Sequence, residues 1–361
     1  MVLRPGSPGG LRISPAKYQE VAAQAGSGGT TPVWLAEAAG KLWGVELAGM
    51  PVGRAVLVRV PSSLEFVRAT YELNLGCNYD CEHCYLGLKR FEELSWPERE
   101  KLLYILRDAG VLWLQLTGGE PMIDKLFPEV YGLGYELGMM LSILSNGSRL
   151  ANAKILELLT THRPHDITVS VYGASEASYD GLTRRPGAFK KFVKGVSAAV
   201  EAGLPLKFSL IVTNHNAHEL EQMEAMAHRW GVPYVSYVNM SPTIYGGAET
   251  LPAQSLKHLR ARKPFTGCHA GHTFFHVDPF GRASICKIGR EPSVPLMAEG
   301  VEGLSRLGEI ADSLLVRQGG CTGCSLSASC GTCMPLVTLY RKAKSPLSRY
   351  CQHREREEVN S

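Results

Sequence analysis

The 361-residue sequence has no apolar run long enough to cross a bilayer; its longest mostly apolar stretch, Leu133 to Leu144, is short and carries Glu136. The first residues, MVLRPGSPGG, lack the apolar segment of a secretion signal, so a cytoplasmic protein with no membrane partner is expected. No strong excess of one charge is present either. Thirty-eight Lys and Arg against 34 Asp and Glu leave +4 without a long basic run, and nucleic acid is not an expected partner. Internal repeats and long low-complexity blocks are missing, while 45% apolar residues exclude a mainly disordered chain. The length suits one large domain or two to three smaller ones.

Cysteine is absent from residues 85 to 267 and concentrated on both sides of that gap. Cys77, Cys81 and Cys84 form one group; Cys268, Cys286, Cys321, Cys324, Cys330, Cys333 and Cys351 form the other. Core cysteines would be scattered. A disulfide set is the competing explanation, but a reducing compartment and a chain of this length argue against it. Grouped thiols in a reduced protein point to metal.

The first 30 residues are rich in Gly, Ser and Pro and are expected to fray. Residues 33–48 have helical character and Ala55–Val60 reads as a short strand. Residues 1–64 are taken as an N-terminal extension, with a partial leader-recognition element as the alternative. From there strand-like and helix-like runs alternate. The strands fall at Phe66–Leu75, Val111–Thr117, Met139–Ser145, Asp166–Tyr172, Leu206–Val212 and Val232–Val238. The helices fall at Trp96–Ala109, with Ser95 as N-cap, and at Ile123–Leu137, Ala151–Thr160, Ala188–Ala202 and His218–Trp230. This predicts an α/β fold with parallel strands and crossover helices over residues 65–240, two units short of an eight-unit barrel. A linker at 241–267 leads to a cysteine-rich segment, 268–351, expected to have little regular structure and to be held by metal. A polar tail, 352–361, follows.

Cys77-x3-Cys81-x2-Cys84 places three thiolates around one compact centre directly after the first strand. A structural zinc site wants four protein ligands, whereas a cubane cluster held by three leaves one iron open to a ligand. The triplet, with His83 in the aromatic position before the third cysteine, resembles the motif of the radical S-adenosylmethionine (SAM) superfamily. Further matches follow in order. Gly118-Gly119-Glu120-Pro121 after the second strand resembles the family's GGE motif, which implies that the glycine backbone and the carboxylate receive the SAM amino group. Asn146 ends the third strand and Ser170 lies in the fourth, where the family has polar residues near the SAM ribose or carboxylate. Of Arg184 and Arg185, Arg184 is the candidate partner of the SAM carboxylate. Taken singly these are a turn, another turn and a satisfied polar residue. Together they stand at C-terminal strand ends, where barrel enzymes build their sites.

The second cysteine group resembles the SPASM extension of radical SAM enzymes, with x2 rather than the usual x3 before Cys333. The resemblance implies one auxiliary cluster on Cys321, Cys324, Cys330 and Cys351, and another on Cys268, Cys286 and Cys333. The latter's fourth ligand is open, with His269 or His272 as possible caps. A zinc ribbon is the alternative for the CxxC pairs. The implied cofactors are three [4Fe–4S] clusters and SAM.

Membership implies reductive cleavage of SAM to a 5′-deoxyadenosyl radical and hydrogen abstraction from the substrate. The expected partners are a precursor peptide and an external one-electron donor such as a flavodoxin or ferredoxin. The expected reaction is an intramolecular thioether or carbon–carbon cross-link. The competing readings are haem or quinone-cofactor biosynthesis and, in a different class, an iron–sulfur electron carrier without catalysis. A sulfatase-maturing enzyme would have an acidic residue after the cysteine matched by Cys286, where this chain has Lys287. No general acid or base stands out.

Overall fold

The computed structural model describes residues 1–351 apart from Pro8 and Glu65; the expected polar tail at 352–361 lies outside the described residues. Eleven strands form two sheets among them. A small antiparallel pair joins β1 (Val2–Leu3) to β2 (Gly10–Leu11). The large sheet contains β3 (Arg68–Glu72), β4 (Trp113–Thr117), β5 (Met140–Ser145), β6 (Asp166–Val171), β7 (Leu206–Ile211) and β8 (Tyr234–Tyr237), each parallel to the next. It continues past β3 through β9 (Phe274–Val277), β10 (Arg282–Ser284) and β11 (Val294–Pro295).

The strand-like runs of the central region therefore become strands, joined by helices Trp96–Asp108, Phe127–Glu136, Ala153–Thr161, Ala188–Glu201 and Leu220–Arg229. The first of these helices starts where Ser95 donates from its backbone N–H and its hydroxyl to the Glu98 carboxylate (2.9 and 2.6 Å). Leu102, Leu103 and Leu106 on that helix pack with Leu114, Leu116, Leu141, Ile143, Ile167 and Val169 of the strands, all buried in one core. Each such side chain contributes about 1.5–3 kcal/mol by leaving water. Apolar residues on both faces are what a parallel sheet covered by crossover helices requires.

Three parts differ from the sequence reading. Residues 15–27 are helical rather than frayed: Ser14 accepts from Lys17 N–H (3.3 Å) and Pro15 occupies the first turn. Residues 56–60 form no strand. Val56 and Val58 instead pack on a small N-terminal cluster of Val21, Leu35 and Val52, and Arg59 donates to the carbonyls of Val111 (2.5 Å) and Arg107 (2.8 Å). The cysteine-rich segment is more regular than its composition suggests, with three strands and helices Leu307–Leu315 and Met334–Lys342. β9 runs parallel to β3, so the boundary at residue 268 does not divide the sheet.

That continuity is reinforced by a buried ion pair. Glu72, at the end of β3, receives both Arg290 guanidinium nitrogens (2.9 and 2.7 Å), and His276 Nε2 on β9 lies 3.5 Å away. Burial alone would raise the Glu72 pKa, but His276 and Arg290 hold it down to about 2. The loop after β10 is thus fastened to the first strand of the core.

Candidate active site

The loops that follow β3, β4 and β5 meet over one cavity of about 360 Å³. Cys77, Cys81 and Cys84 line it, together with His83, Gly118, Gly119, Asn146 and Ser170. The loops are tied to each other. Gly119 N–H donates to the Asn74 carbonyl (3.0 Å) and Glu120 N–H to that of Gly76 (2.9 Å), just ahead of Cys77. Asn146 Nδ2 donates to Asn78 Oδ1 (2.9 Å) and lies 3.9 Å from Cys77 Sγ.

The glycines also have a packing role that the sequence reading did not include. A Cβ on Gly119 would collide with the Gly76 carbonyl oxygen, and one on Gly118 with that of Asn74. Gly118 also has φ +134°, a region that side chains disfavour. Both residues are bare because two backbone segments touch there, which fixes the Cys77 loop against β4.

Two of the candidate SAM contacts are not among the residues that line the cavity. The Glu120 carboxylate does not line the cavity. It is fully buried and accepts from Ser145 Oγ (2.9 and 3.0 Å), Asn146 N–H (2.7 Å) and Met122 N–H (3.1 Å). It therefore holds the Asn146 loop from beneath, with its acceptor positions already engaged. Arg184 is not brought to the cavity either. It caps helix Glu176–Thr183 with φ +51°, is more than half exposed, and reaches Glu82 at 3.8 Å.

Burial pushes the Glu120 carboxyl up to about 7 despite its hydrogen bonds. A carboxyl raised on folding makes the folded state bind the extra proton. Its stabilising contribution is complete below the ordinary glutamate range and lost as pH rises through about 7. Glu120→Gln should flatten the fall in melting midpoint between about pH 5 and pH 8 relative to wild type. Parallel curves for the two proteins would contradict this.

His83 packs on Tyr172 with the rings tilted by 46° (centroids 5.4 Å apart), and Tyr172 in turn meets Tyr179 edge-on at 5.4 Å. Burial, with the Lys89 charge, pulls the imidazole down to about 4, so it is neutral near pH 7. Its Nδ1 is buried without a hydrogen-bond partner among the described residues. Burial raises the Cys77 thiol to about 11 and pushes Cys81 up as well, with the neighbouring cysteines adding to both. Among the described residues no three side chains converge on a single metal ion, but three thiols lining one cavity beside bare backbone, an orphaned ring nitrogen and amide and hydroxyl side chains suit the wider span of an open-sided iron–sulfur cluster with a polar ligand on it.

The second group of thiols falls into two neighbourhoods. Cys286 and Cys333 are raised chiefly by burial and each responds to Cys268, so these three lie within one another's electrostatic reach. Arg317 responds to Cys330, Cys321 and Cys324 and lies 3.5 Å from Cys330 Sγ; Arg341 lies 3.7 Å from Cys321 Sγ. Cys351 follows Tyr350, whose carbonyl accepts from Thr332 Oγ1 (3.0 Å) between Cys330 and Cys333. Of the two candidate caps, His272 is paired with Asp312 (2.9 Å). Cavity residues missed in the sequence include Tyr85, Tyr172, Tyr237 and Lys287. Tyr85 directly follows Cys84, Tyr172 lies two residues after Ser170 and Lys287 follows Cys286, so adjacency to a motif residue was the signal for these three; Tyr237 had none.

Residues 71–250 match the Radical SAM superfamily, and the chain belongs to that superfamily. Its fold and its clustered thiols are those of a class that uses a [4Fe–4S] cluster and SAM. Among curated relatives, mycofactocin maturase MftC of Mycobacterium ulcerans is 26% identical over 242 residues, 61% of this chain and 63% of that protein. The AdoMet-dependent heme synthase of Methanosarcina barkeri is 27% identical over 177 residues, 48% of this chain and 50% of that one. Both alignments span less than two thirds of the relative. In fold, the chain is similar to Streptococcus suis SuiB bound to precursor peptide SuiA, with TM-score 0.63, 14% identity, and coverage of 80% and 76% of the two chains. Among the described residues no helix is long and apolar enough to cross a membrane.

Proposed function

We propose that this protein is a cytoplasmic radical SAM oxidoreductase that cross-links a ribosomally made peptide within its own chain, through a thioether or a carbon–carbon bond. The observation that carries the chemistry is the convergence of Cys77, Cys81 and Cys84 with Gly118, Gly119, Asn146 and Ser170 on one cavity. The peptide substrate is supported by similarity to a maturase and to a structure holding a precursor peptide.

In this reading the three thiolates hold the first cluster. When bound, cluster and SAM supply a 5′-deoxyadenosyl radical able to abstract hydrogen from the peptide. Asn146 and Ser170 hold polar groups of SAM, and Gly118 and Gly119 present their backbone to it. Glu120 acts as a positioning residue beneath Asn146, and His83 packs beside the third cysteine as a neutral ring. Cys268, Cys286 and Cys333 would hold one auxiliary cluster and Cys321, Cys324, Cys330 and Cys351 another, which would supply electron-accepting capacity for a net oxidation. A flavodoxin or ferredoxin supplies the reducing electron. Residues 1–64 are assigned as an N-terminal extension, with a partial leader-recognition element as the alternative, 65–240 as the catalytic core, 241–267 as a linker and 268–351 as the auxiliary-cluster region.

The test is anaerobic incubation of the reconstituted enzyme with the peptide encoded beside its gene. The expected product is lighter by about two mass units, the two hydrogens lost in one cross-link, and the protein should hold about twelve irons. An unchanged peptide mass would overturn the peptide reading. Turnover of a propionate-bearing tetrapyrrole instead would favour the haem-type alternative, for which the similarity to the heme synthase speaks.

A further inference from the structure

The cavity contains a cation that none of the roles above uses. Lys287, in the turn after β10, lines the wall together with Tyr85 and Ile288, and its ammonium lies 5.0 Å from the centre of the Tyr85 ring. Among the described residues that line the cavity there is no aspartate or glutamate, and the other lysine is Lys89. Lys89 is engaged: its ammonium donates to the Tyr79 carbonyl (2.6 Å) and to Asp80 (2.5 Å). Lys287 has no carboxylate within ion-pair distance among the described residues. Glu72, at the end of β3, already has both oxygens occupied by Arg290.

The position of Lys287 is fixed from behind. Arg290 Nε donates to the Lys287 carbonyl (3.0 Å) while its other two nitrogens grip Glu72, and Gly289 N–H donates to Cys286 Sγ (3.2 Å). An ammonium with its backbone clamped to β3 and its tip over an aromatic face is a preorganised anion site. Lys287 is exposed where it lines the cavity. A ligand that filled the cavity without supplying an anion would strand this charge away from solvent, at high cost.

We propose that Lys287 is the anchor for a carboxylate of the peptide substrate, an acidic side chain or the C-terminal carboxyl, in the active-site cavity. The assignment rests on the peptide reading above and specifies the chemistry the peptide must carry. It comes from a different part of the sheet than the residues assigned to SAM. Gly118, Gly119, Asn146 and Ser170 stand at or near the ends of β4, β5 and β6, whereas Lys287 enters from β10, on the other side of β3 and β9 in the sheet. It also adjoins Cys286, so a carboxylate held there lies between the two thiol groups proposed to carry clusters. An acidic residue in the same place would repel such a peptide.

The test uses the reconstituted full-length enzyme with SAM and two fluorescent forms of the peptide encoded beside the gene. One form is native; the other has every Asp and Glu replaced by Asn and Gln and an amidated C-terminus. Lys287→Gln should weaken binding of the native form roughly 10- to 100-fold, the range for a hydrogen bond to a charged group. It should leave the all-amide form and SAM affinity unchanged, and Lys287→Arg should restore much of the loss. Equal weakening of both peptides, or no weakening of either, overturns the anchor while leaving the peptide reading intact. A loss confined to SAM affinity overturns it by giving the charge to the carboxylate of SAM. An unchanged peptide affinity with a shifted potential of the neighbouring cluster overturns it in favour of an electrostatic role there. If wild-type enzyme binds neither peptide, the peptide reading fails and the anchor fails with it.

Discussion

Alanine at Cys77, Cys81 and Cys84 together is expected to abolish release of 5′-deoxyadenosine and to remove about four irons per chain. The three thiols are the cysteines lining the cavity; the remaining walls are amide, hydroxyl, aromatic, aliphatic and backbone groups with the His83 imidazole, the Met240 thioether and two ammonium tips. A single imidazole or thioether does not replace three thiolates around a cluster. The substitutions should spare the fold, because the three cysteines are only partly buried and sit on loops at the rim of the core. Far-ultraviolet circular dichroism and melting of the metal-free protein should therefore match wild type, and the auxiliary iron should persist. Cleavage of SAM by this variant at wild-type rate would refute the assignment of the first cluster. Cleavage by neither protein, with the first cluster full in wild type, would favour an electron carrier.

Asp124→Ala should be the most damaging single change to stability, at ~3–5 kcal/mol. Arg99 is fully buried on the helix after Ser95, and its guanidinium meets both Asp124 oxygens (2.9 and 3.0 Å). Asp124 also accepts from Asn74 Nδ2 (2.7 Å) and Leu126 N–H (2.9 Å), and Arg99 donates to the carbonyls of Leu94 (2.9 Å) and Leu73 (3.3 Å). Removing the carboxylate leaves a desolvated cation with no anion to meet, against a total stability of only ~5–15 kcal/mol. The double replacement Arg99→Met with Asp124→Leu should cost less than Asp124→Ala alone, because it removes both charges. Denaturant midpoints of the three proteins decide the matter; an Asp124→Ala midpoint equal to wild type would contradict the account. The network grips Leu73, Asn74 and the turn after Glu120, so its loss should also loosen the walls that Gly118 and Gly119 bring together.

The sequence by itself determined the alternating core. Apolar residues in β3 to β7, and helices with capping signals such as Ser95 and Glu98, declare themselves within short windows, because local periodicity and caps act over a few residues. The Cys77, Cys81, Cys84 triplet and the Gly118-Gly119-Glu120 run were legible for the same reason. The helix at 15–27 was not read from the sequence: Ser14 and Pro15 are local start signals, but the surrounding Gly and Ser pointed to fraying.

Only the tertiary structure decided the rest. A strand at 56–60 needed a partner, and Arg59 took the nearby carbonyls instead. Nothing local says that Glu120 turns inward to Ser145 and Asn146, or that Arg184 swings out to Glu82. Lys287 lies more than 200 positions from Cys84 in the chain, yet the two share a cavity. They meet because β9 pairs in parallel with β3 and Arg290 then grips Glu72. Such long-range pairings are set by burial and charge complementarity between segments that no local pattern connects.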